Sequence, residues 1–366
     1  MAATGLPVVG PEALKELDRY VSCAVRYEGE GTPHFMRREL PDGSELILLC
    51  SLEQEEPIRG QLWMGNTAHP VYLQSGEMAF YTAEGRLGTE LLPECDGEGI
   101  PLPGTAAVAW EAPNVIPLEF WRNAKDTAVS KIAEVRQLNF SFTTEEALPE
   151  APVLLVPEHC LPLVESLALD GVPLTLSGTA QLWDEPYRSC PLPGAAVPGR
   201  HTLTLEKNAP LPDQYPLFLQ GEFGVRLKTG SPWQTVCGRQ YNLTRYIPET
   251  AVVTLYTREK ELNTAQSWTE QGHPFYSGAA TYRFELELPQ LSAAVLELPG
   301  LTGCCAAMLD GTDAGSRIFA PYVYPLGAVG GEHTLELRVE NTLANMLECY
   351  RAPSGLTAGG RIAPQK

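Results

Sequence analysis

Leu167-Ala168-Leu169-Asp170-Gly171, followed after a loop by Pro198-Gly199-Arg200-His201-Thr202-Leu203-Thr204-Leu205, is answered later in the chain by Met308-Leu309-Asp310-Gly311 and Gly331-Glu332-His333-Thr334-Leu335-Glu336-Leu337. Each stretch reads as an alternating strand, an Asp-Gly turn, a long loop, a glycine-tipped hairpin and a second alternating strand. The echo extends upstream. Val153-Leu154-Leu155-Val156 matches Val295-Leu296-Glu297-Leu298, and Phe140-Ser141-Phe142 matches Tyr282-Arg283-Phe284. Two copies of one β-sandwich account for a repeat of this kind most simply.

Outward from the repeat, period-two alternation continues in Val21-Ser22-Cys23-Ala24-Val25-Arg26-Tyr27, in Glu45-Leu46-Ile47-Leu48-Leu49 and in Gly60-Gln61-Leu62-Trp63-Met64. Pro41-Asp42-Gly43-Ser44 marks a hairpin turn, because glycine tolerates the positive φ such a turn needs. Helical patterning is confined to residues 11–20, with Leu14, Leu17 and Val21 on one stripe, and to residues 126–135. The expectation is an all-β chain of tandem β-sandwiches with one or two short helices. Its parts are residues 1–125, a β-sandwich with an N-terminal helix; residues 126–262, the first copy; and residues 263–366, the second copy, ending in a loose tail around Ala358-Gly359-Gly360.

The chain has 366 residues, with 26 Lys and Arg against 45 Asp and Glu, a formal charge of −19 that argues against nucleic acid or an anionic membrane as partner. Its nine cysteines are odd in number and contain no Cys-x-x-Cys, so they form neither a disulfide framework nor a zinc site. No apolar run approaches the roughly 20 residues of a membrane span, and charged residues stand where a signal peptide would be apolar. A cytoplasmic, reducing location is expected.

No Gly-x-Ser-x-Gly, phosphate-cradling loop or His-Glu-x-x-His occurs, so no catalytic residue is assigned. The adjacent carboxylates Glu55-Glu56 and Asp184-Glu185 project to opposite faces of a strand and make no acid–base pair. The six histidines lack ligand spacing, and the equivalent positions of His201 and His333 point to a role in the hairpin rather than to a metal. No cofactor is expected, and a structural calcium ion is left open.

The densest aromatic and polar segment runs from Trp268 to Tyr282, and Phe319-Ala320-Pro321-Tyr322-Val323-Tyr324 lies in the long loop of the same copy. Aromatic faces stack on the C–H face of a sugar while amide and imidazole groups bond its hydroxyls. Trp268, His273, Tyr276, Tyr322 and Tyr324 are therefore the candidate carbohydrate-binding residues. The alternative is that these rings pack the core and close a domain seam.

Gly272-His273-Pro274-Phe275-Tyr276-Ser277-Gly278 with the strand that follows resembles the start of the galactose-binding-like jelly roll of large glycoside hydrolases, those of the α-L-rhamnosidase-like family 106 and the sugar-binding domain of family 2. The pattern continues through Leu309-Asp310-Gly311, Gly331-Glu332-His333-Thr334-Leu335 and Asn341, with His333 where asparagine is usual and Cys304-Cys305 before the turn. The preceding copy resembles the neighbouring module through Leu169-Asp170-Gly171, Trp183-Asp184 and Leu217-Phe218-Leu219-Gln220-Gly221-Glu222-Phe223-Gly224. Pro41-Asp42-Gly43-Ser44 and its strand resemble the β-domain after the catalytic barrel. The resemblance implies two galactose-binding-like jelly rolls in a non-catalytic accessory region, with carbohydrate or a (β/α)₈ barrel as partner. Two other readings remain, a free-standing carbohydrate-binding protein and a hydrolase whose carboxylates converge between domains.

Overall fold

The computed structural model describes residues 25–51, 57–87, 92–118, 137–182, 185–208, 217–228, 234–235, 244–245, 252–347 and 352–366. The helices expected at 11–20 and 126–135, together with Glu55-Glu56 and Trp183-Asp184, lie outside the described residues. The chain is all-β, built as tandem sandwiches of mainly antiparallel sheets. It divides into two compact units, Met1–Leu92 with Phe319–Pro321, and Pro93–Ile318 with Tyr322–Lys366.

In the smaller unit, the sheet Val25–Glu30, Ile58–Met64, Thr67–Leu73 faces the sheet His34–Glu39, Glu45–Cys50, Met78–Thr82, Gly85–Leu87. Period-two alternation sends Ile58, Leu62 and Leu73 from the first and Ile47, Leu49 and Tyr81 from the second into one core.

The larger unit holds both copies of the repeat, each around its own core. In the first copy, Gly199–Lys207 lies between Gln137–Thr144 and Val164–Leu169. In the second, Val323–Glu340 lies between Ala279–Glu297 and Cys304–Leu309. Leu203 pairs with Phe140 and Leu169, and Leu335 pairs with Phe284 and Leu309. This register equates Phe140 with Phe284, two residues from the alignment read off the sequence. A shift of two leaves every side chain on the same face, so periodicity alone cannot detect it.

The Asp-Gly turns are equivalent in detail. Asp170 and Asp310 adopt φ of 50° and 51°. Asp170 Oδ1 accepts the Thr202 N–H at 2.7 Å, and Asp310 Oδ1 accepts that of Thr334 at 2.8 Å. The second carboxylate oxygen of each lies 2.8 and 2.6 Å from Nδ1 of His201 and His333. Both histidines therefore brace the hairpin. They differ at Nε2: His201 faces the Val197 carbonyl, whereas His333 accepts the Gly330 N–H.

Two expectations are corrected. Residues 93–118 fall inside the expected first β-sandwich of residues 1–125, yet their strands belong to the larger unit. Thr105–Trp110 pairs with Ala279–Glu297 of the second copy, and Asn114–Pro117 pairs with Phe218–Gly221 of the first. The tail read as loose is also part of a sheet, because Arg361–Pro364 pairs with Ala279–Glu297. Gly360 permits this: a Cβ there would overlap the Leu298 and Leu102 side chains. Cys304 opens the strand Cys304–Leu309, and Cys305 is buried on its core face.

Candidate functional site

Where the two copies meet, the turn after Val252–Thr257 carries Arg258 inward to 8% exposure. Its Nη1 donates to Glu222 Oε2 and to the Ala112 carbonyl, both at 2.9 Å, and its Nε donates to His273 Nε2 at 3.2 Å. The guanidinium stands 4.6 Å from the Trp110 ring and 5.4 Å from the Tyr276 ring. Desolvation lowers its pKa while Glu222 opposes the shift. A buried cation is tolerated only with such partners. Nη2 is buried without a hydrogen-bond partner.

His273, 1% exposed, is held in one tautomer. The Gln271 carbonyl, 2.7 Å from Nδ1, only accepts, so Nδ1 carries the proton and Nε2 receives Arg258. Burial first, then the Arg258 charge, push its pKa down to about 3. The ring stacks on Trp110 at 3.8 Å and 22°. Asn114 ties the joint together, its Nδ2 donating to the Phe223 and Gly272 carbonyls at 2.8 Å each.

Of the candidate sugar-stacking residues, Trp268, His273 and Tyr276 meet at this joint, whereas Tyr322 and Tyr324 pack within the second copy's core; all of them face inward. Trp268, Tyr276 and Tyr324 are 0% exposed, and Tyr322 is 8% exposed. Trp268 Nε1 donates to the Tyr282 hydroxyl at 2.5 Å. Tyr276 donates to the Ala279 carbonyl at 2.6 Å, and Tyr322 and Tyr324 donate to the Gly303 and Cys305 carbonyls at 2.5 and 3.0 Å. Rings closed over in this way present no face for a sugar to stack on, and their polar tips are already bonded. The structure thus places the five in packing and the domain seam. Asn341, the residue ending the jelly-roll pattern, clamps the same loop through Gly278 N–H at 2.9 Å and the Tyr276 carbonyl at 2.8 Å.

Sequence reasoning did not single out Trp110, Asn114, Glu222 or Arg258. Trp110 and Arg258 are 148 positions apart in the chain and are brought together by strand pairing. No local spacing announces that meeting.

Beside the joint lies an open cleft of about 360 Å³, lined among others by Val225, Arg226, Tyr256, Glu259, Gln266 and Glu270. Arg226 bonds Glu145 at 2.6 Å and stands 4.7 Å from the Tyr256 ring. Burial first, then the neighbouring Glu259 carboxylate, push the Tyr256 pKa up to about 12, so the phenol stays protonated. Among the described residues no group of three or more His, Cys, Asp or Glu side chains is gathered to hold a metal ion.

No family model and no curated protein sequence matches the chain. Among solved structures it is similar to a rhamnosidase from Novosphingobium sp. PP1Y, with 16% identity and a TM-score of 0.31 over 96% of this chain and 26% of that one. It is also similar to Streptomyces avermitilis α-L-rhamnosidase complexed with L-rhamnose, with 12% identity and a TM-score of 0.24 over 86% of this chain and 36% of that one. A GH2 β-galacturonidase from Eisenbergiella tayi bound to galacturonate gives 16% identity and a TM-score of 0.24 over 39% of this chain and 25% of that one. The chain spans 26% to 36% of the length of the two rhamnosidases, and no residue role is carried over from any of the three.

Proposed function

We propose that the chain is a non-catalytic accessory region of a glycoside hydrolase of the α-L-rhamnosidase-like type, two of its sandwiches being galactose-binding-like jelly rolls. In this reading it braces a catalytic (β/α)₈ barrel and offers carbohydrate a secondary contact. The observation that carries the reading is the joint around Arg258. The aromatic and polar residues that a loop-end binding site would display are committed to fusing two sandwiches, which suits a scaffold. The jelly-roll motifs through Asp310-Gly311 and Asn341 support the same assignment.

The competing enzyme reading rests on Glu259 and Glu270, which line one cleft. Two assays separate the readings. The chain is incubated with aryl α-L-rhamnosides, β-galactosides and β-galacturonides, and it is titrated against a rhamnosidase barrel stripped of its β-sandwiches. Stabilisation of the barrel without turnover by the chain alone is the expected result. Saturable hydrolysis abolished by Glu259→Gln or Glu270→Gln would overturn the non-catalytic assignment.

A further inference from the structure

The smaller unit carries an apolar surface that the accessory role does not use. Strand pairing in its four-stranded sheet sets Met36 opposite Leu48, Leu48 opposite Phe80 and Phe80 opposite Leu87. Residues opposite one another in antiparallel strands share a face, so these four make one row across the sheet. Ile47, Leu49 and Tyr81 alternate with them and fill the core, which puts the row on the outer face. Met36, Phe80 and Leu87 are 62%, 43% and 50% exposed. Single exposed apolar side chains are ordinary, but a contiguous row rimmed by polar groups marks a contact surface.

Charge on this face singles out its occupant. With a formal charge of −19, two copies of the chain repel one another in general. Among the described residues, however, the outward positions of this sheet hold no carboxylate, because Glu39 and Glu45 alternate to the other side. Two residues along from the row, Arg38 lies opposite Leu46 at one edge, and Thr82 lies opposite Gly85 at the other. Arg38 is exposed and pairs with no carboxylate among the described residues. Glu84, in the turn between Thr82 and Gly85, bonds the Thr82 hydroxyl at 2.7 Å and pairs with no cation among them. A basic group at one edge and an acidic group at the other become two opposite-sign contacts under a two-fold axis.

We infer that this face is a self-association surface, on which a second copy packs about a two-fold axis parallel to the strands. That axis lays His34–Glu39 over the partner's Gly85–Leu87 strand and keeps the strand direction. Met36 then meets the partner's Leu87, Leu48 meets the partner's Phe80, and Arg38 meets the partner's Glu84. Both hairpin turns stay at the same end, so the turn bearing the partner's Glu84 settles against the shallow depression lined by Arg38, Leu40, Pro41 and Leu46. Sheets stacked about 10 Å apart with aligned strands are ordinary sandwich packing. Four strands about 4.8 Å apart and up to about six residues long cover about 400 Å² per copy, about 800 Å² in all. An area of that size belongs to transient interfaces, so the dimer forms and dissociates with concentration.

The test is sedimentation velocity of the full chain across the micromolar range. A reversible monomer–dimer equilibrium is expected, weakened about tenfold by Met36→Glu and by Phe80→Glu. Unfolding midpoints of both variants should stay near the native value, since both side chains project outward and are exposed. Arg38→Glu and Glu84→Arg should each weaken the dimer about fivefold, and the double exchange should restore it to within about twofold of native. Three results would overturn the inference: a monomer at every concentration, a dimer indifferent to both apolar variants, or a double exchange that dimerises no better than either single variant. A monomeric chain whose Phe80→Glu variant no longer stabilises the barrel would likewise overturn it, by assigning the face to the barrel. Stabilisation of the barrel by the native chain, and turnover, are separate readouts, so the accessory reading stands or falls on its own.

Discussion

His273 makes the larger unit sensitive to acid in a way that can be calculated. Its proton sits on Nδ1 against the Gln271 carbonyl, and its Nε2 accepts from Arg258 at 3.2 Å. A second proton at Nε2 would meet the Arg258 N–H head-on, in a site 1% exposed. The pKa falls from an ordinary 6.5 to about 3, through burial first and then the Arg258 charge. Between those values the unfolded chain binds a proton that the native state refuses. Stability is therefore full above pH 6.5 and declines as the pH drops toward 3. Each pH unit is worth about 1.4 kcal/mol, so acidification from 6.5 to 5 should cost about 2 kcal/mol through this one group, before most carboxylates titrate. The assay is urea unfolding followed by tryptophan fluorescence at pH 7, 6 and 5, for the native chain and His273→Gln. The variant should be less stable at pH 7 by about 1 to 3 kcal/mol through the lost ring contacts and altered hydrogen bonds. That gap should close by about 2 kcal/mol at pH 5, because the amide does not titrate. Parallel pH dependences for the two proteins would refute the reasoning, as would ¹⁵N shifts showing both His273 nitrogens protonated at pH 5.

Arg258→Ala should cost about 3 to 5 kcal/mol in denaturant unfolding, because it empties a buried site and strands the Ala112 carbonyl and His273 Nε2. Glu222→Gln should cost only about 1 kcal/mol, since the Glu222 side chain is 45% exposed and water replaces much of the pair; equal losses would show that the joint does not depend on the buried cation. Gly355→Ala should lower the unfolding midpoint sharply, by about 3 kcal/mol or more, because φ is +79° and a Cβ would overlap the Trp268 indole and Tyr282 hydroxyl. A midpoint within error of native would contradict that packing. A chain of residues 93–366 should be soluble and unfold cooperatively, whereas one of residues 126–366 loses Thr105–Trp110 and Asn114–Pro117 and should aggregate. Light scattering and circular dichroism decide between them, and indistinguishable behaviour would remove the seam role of residues 93–118.

Much of the fold was legible in the residues because it is written at short range. Period-two alternation identifies the strands, and Asp-Gly forces the two left-handed turns at Asp170 and Asp310. The matching positions of His201 and His333 announce their shared brace. What the alternation does not encode is which strand pairs with which. Thr105–Trp110 has the pattern of any half-buried strand, so nothing in it names Ala279–Glu297 as its neighbour.

The candidate site divides along the same line. Trp268, His273 and Tyr276 stand out in the sequence as an aromatic and polar cluster, and the structure does gather them. Composition cannot say whether such a cluster faces water or protein, since the same rings serve both ends. Only the tertiary structure decides that, by bringing Trp110, Asn114, Glu222 and Arg258 from distant positions to close over them. The sequence by itself determined the strands, the turns and the duplication, because those follow from backbone sterics and local side-chain alternation. Strand partners, the buried Arg258 joint and the polar cleft beside it were decided by long-range packing, in which residues more than a hundred positions apart bury a charge together.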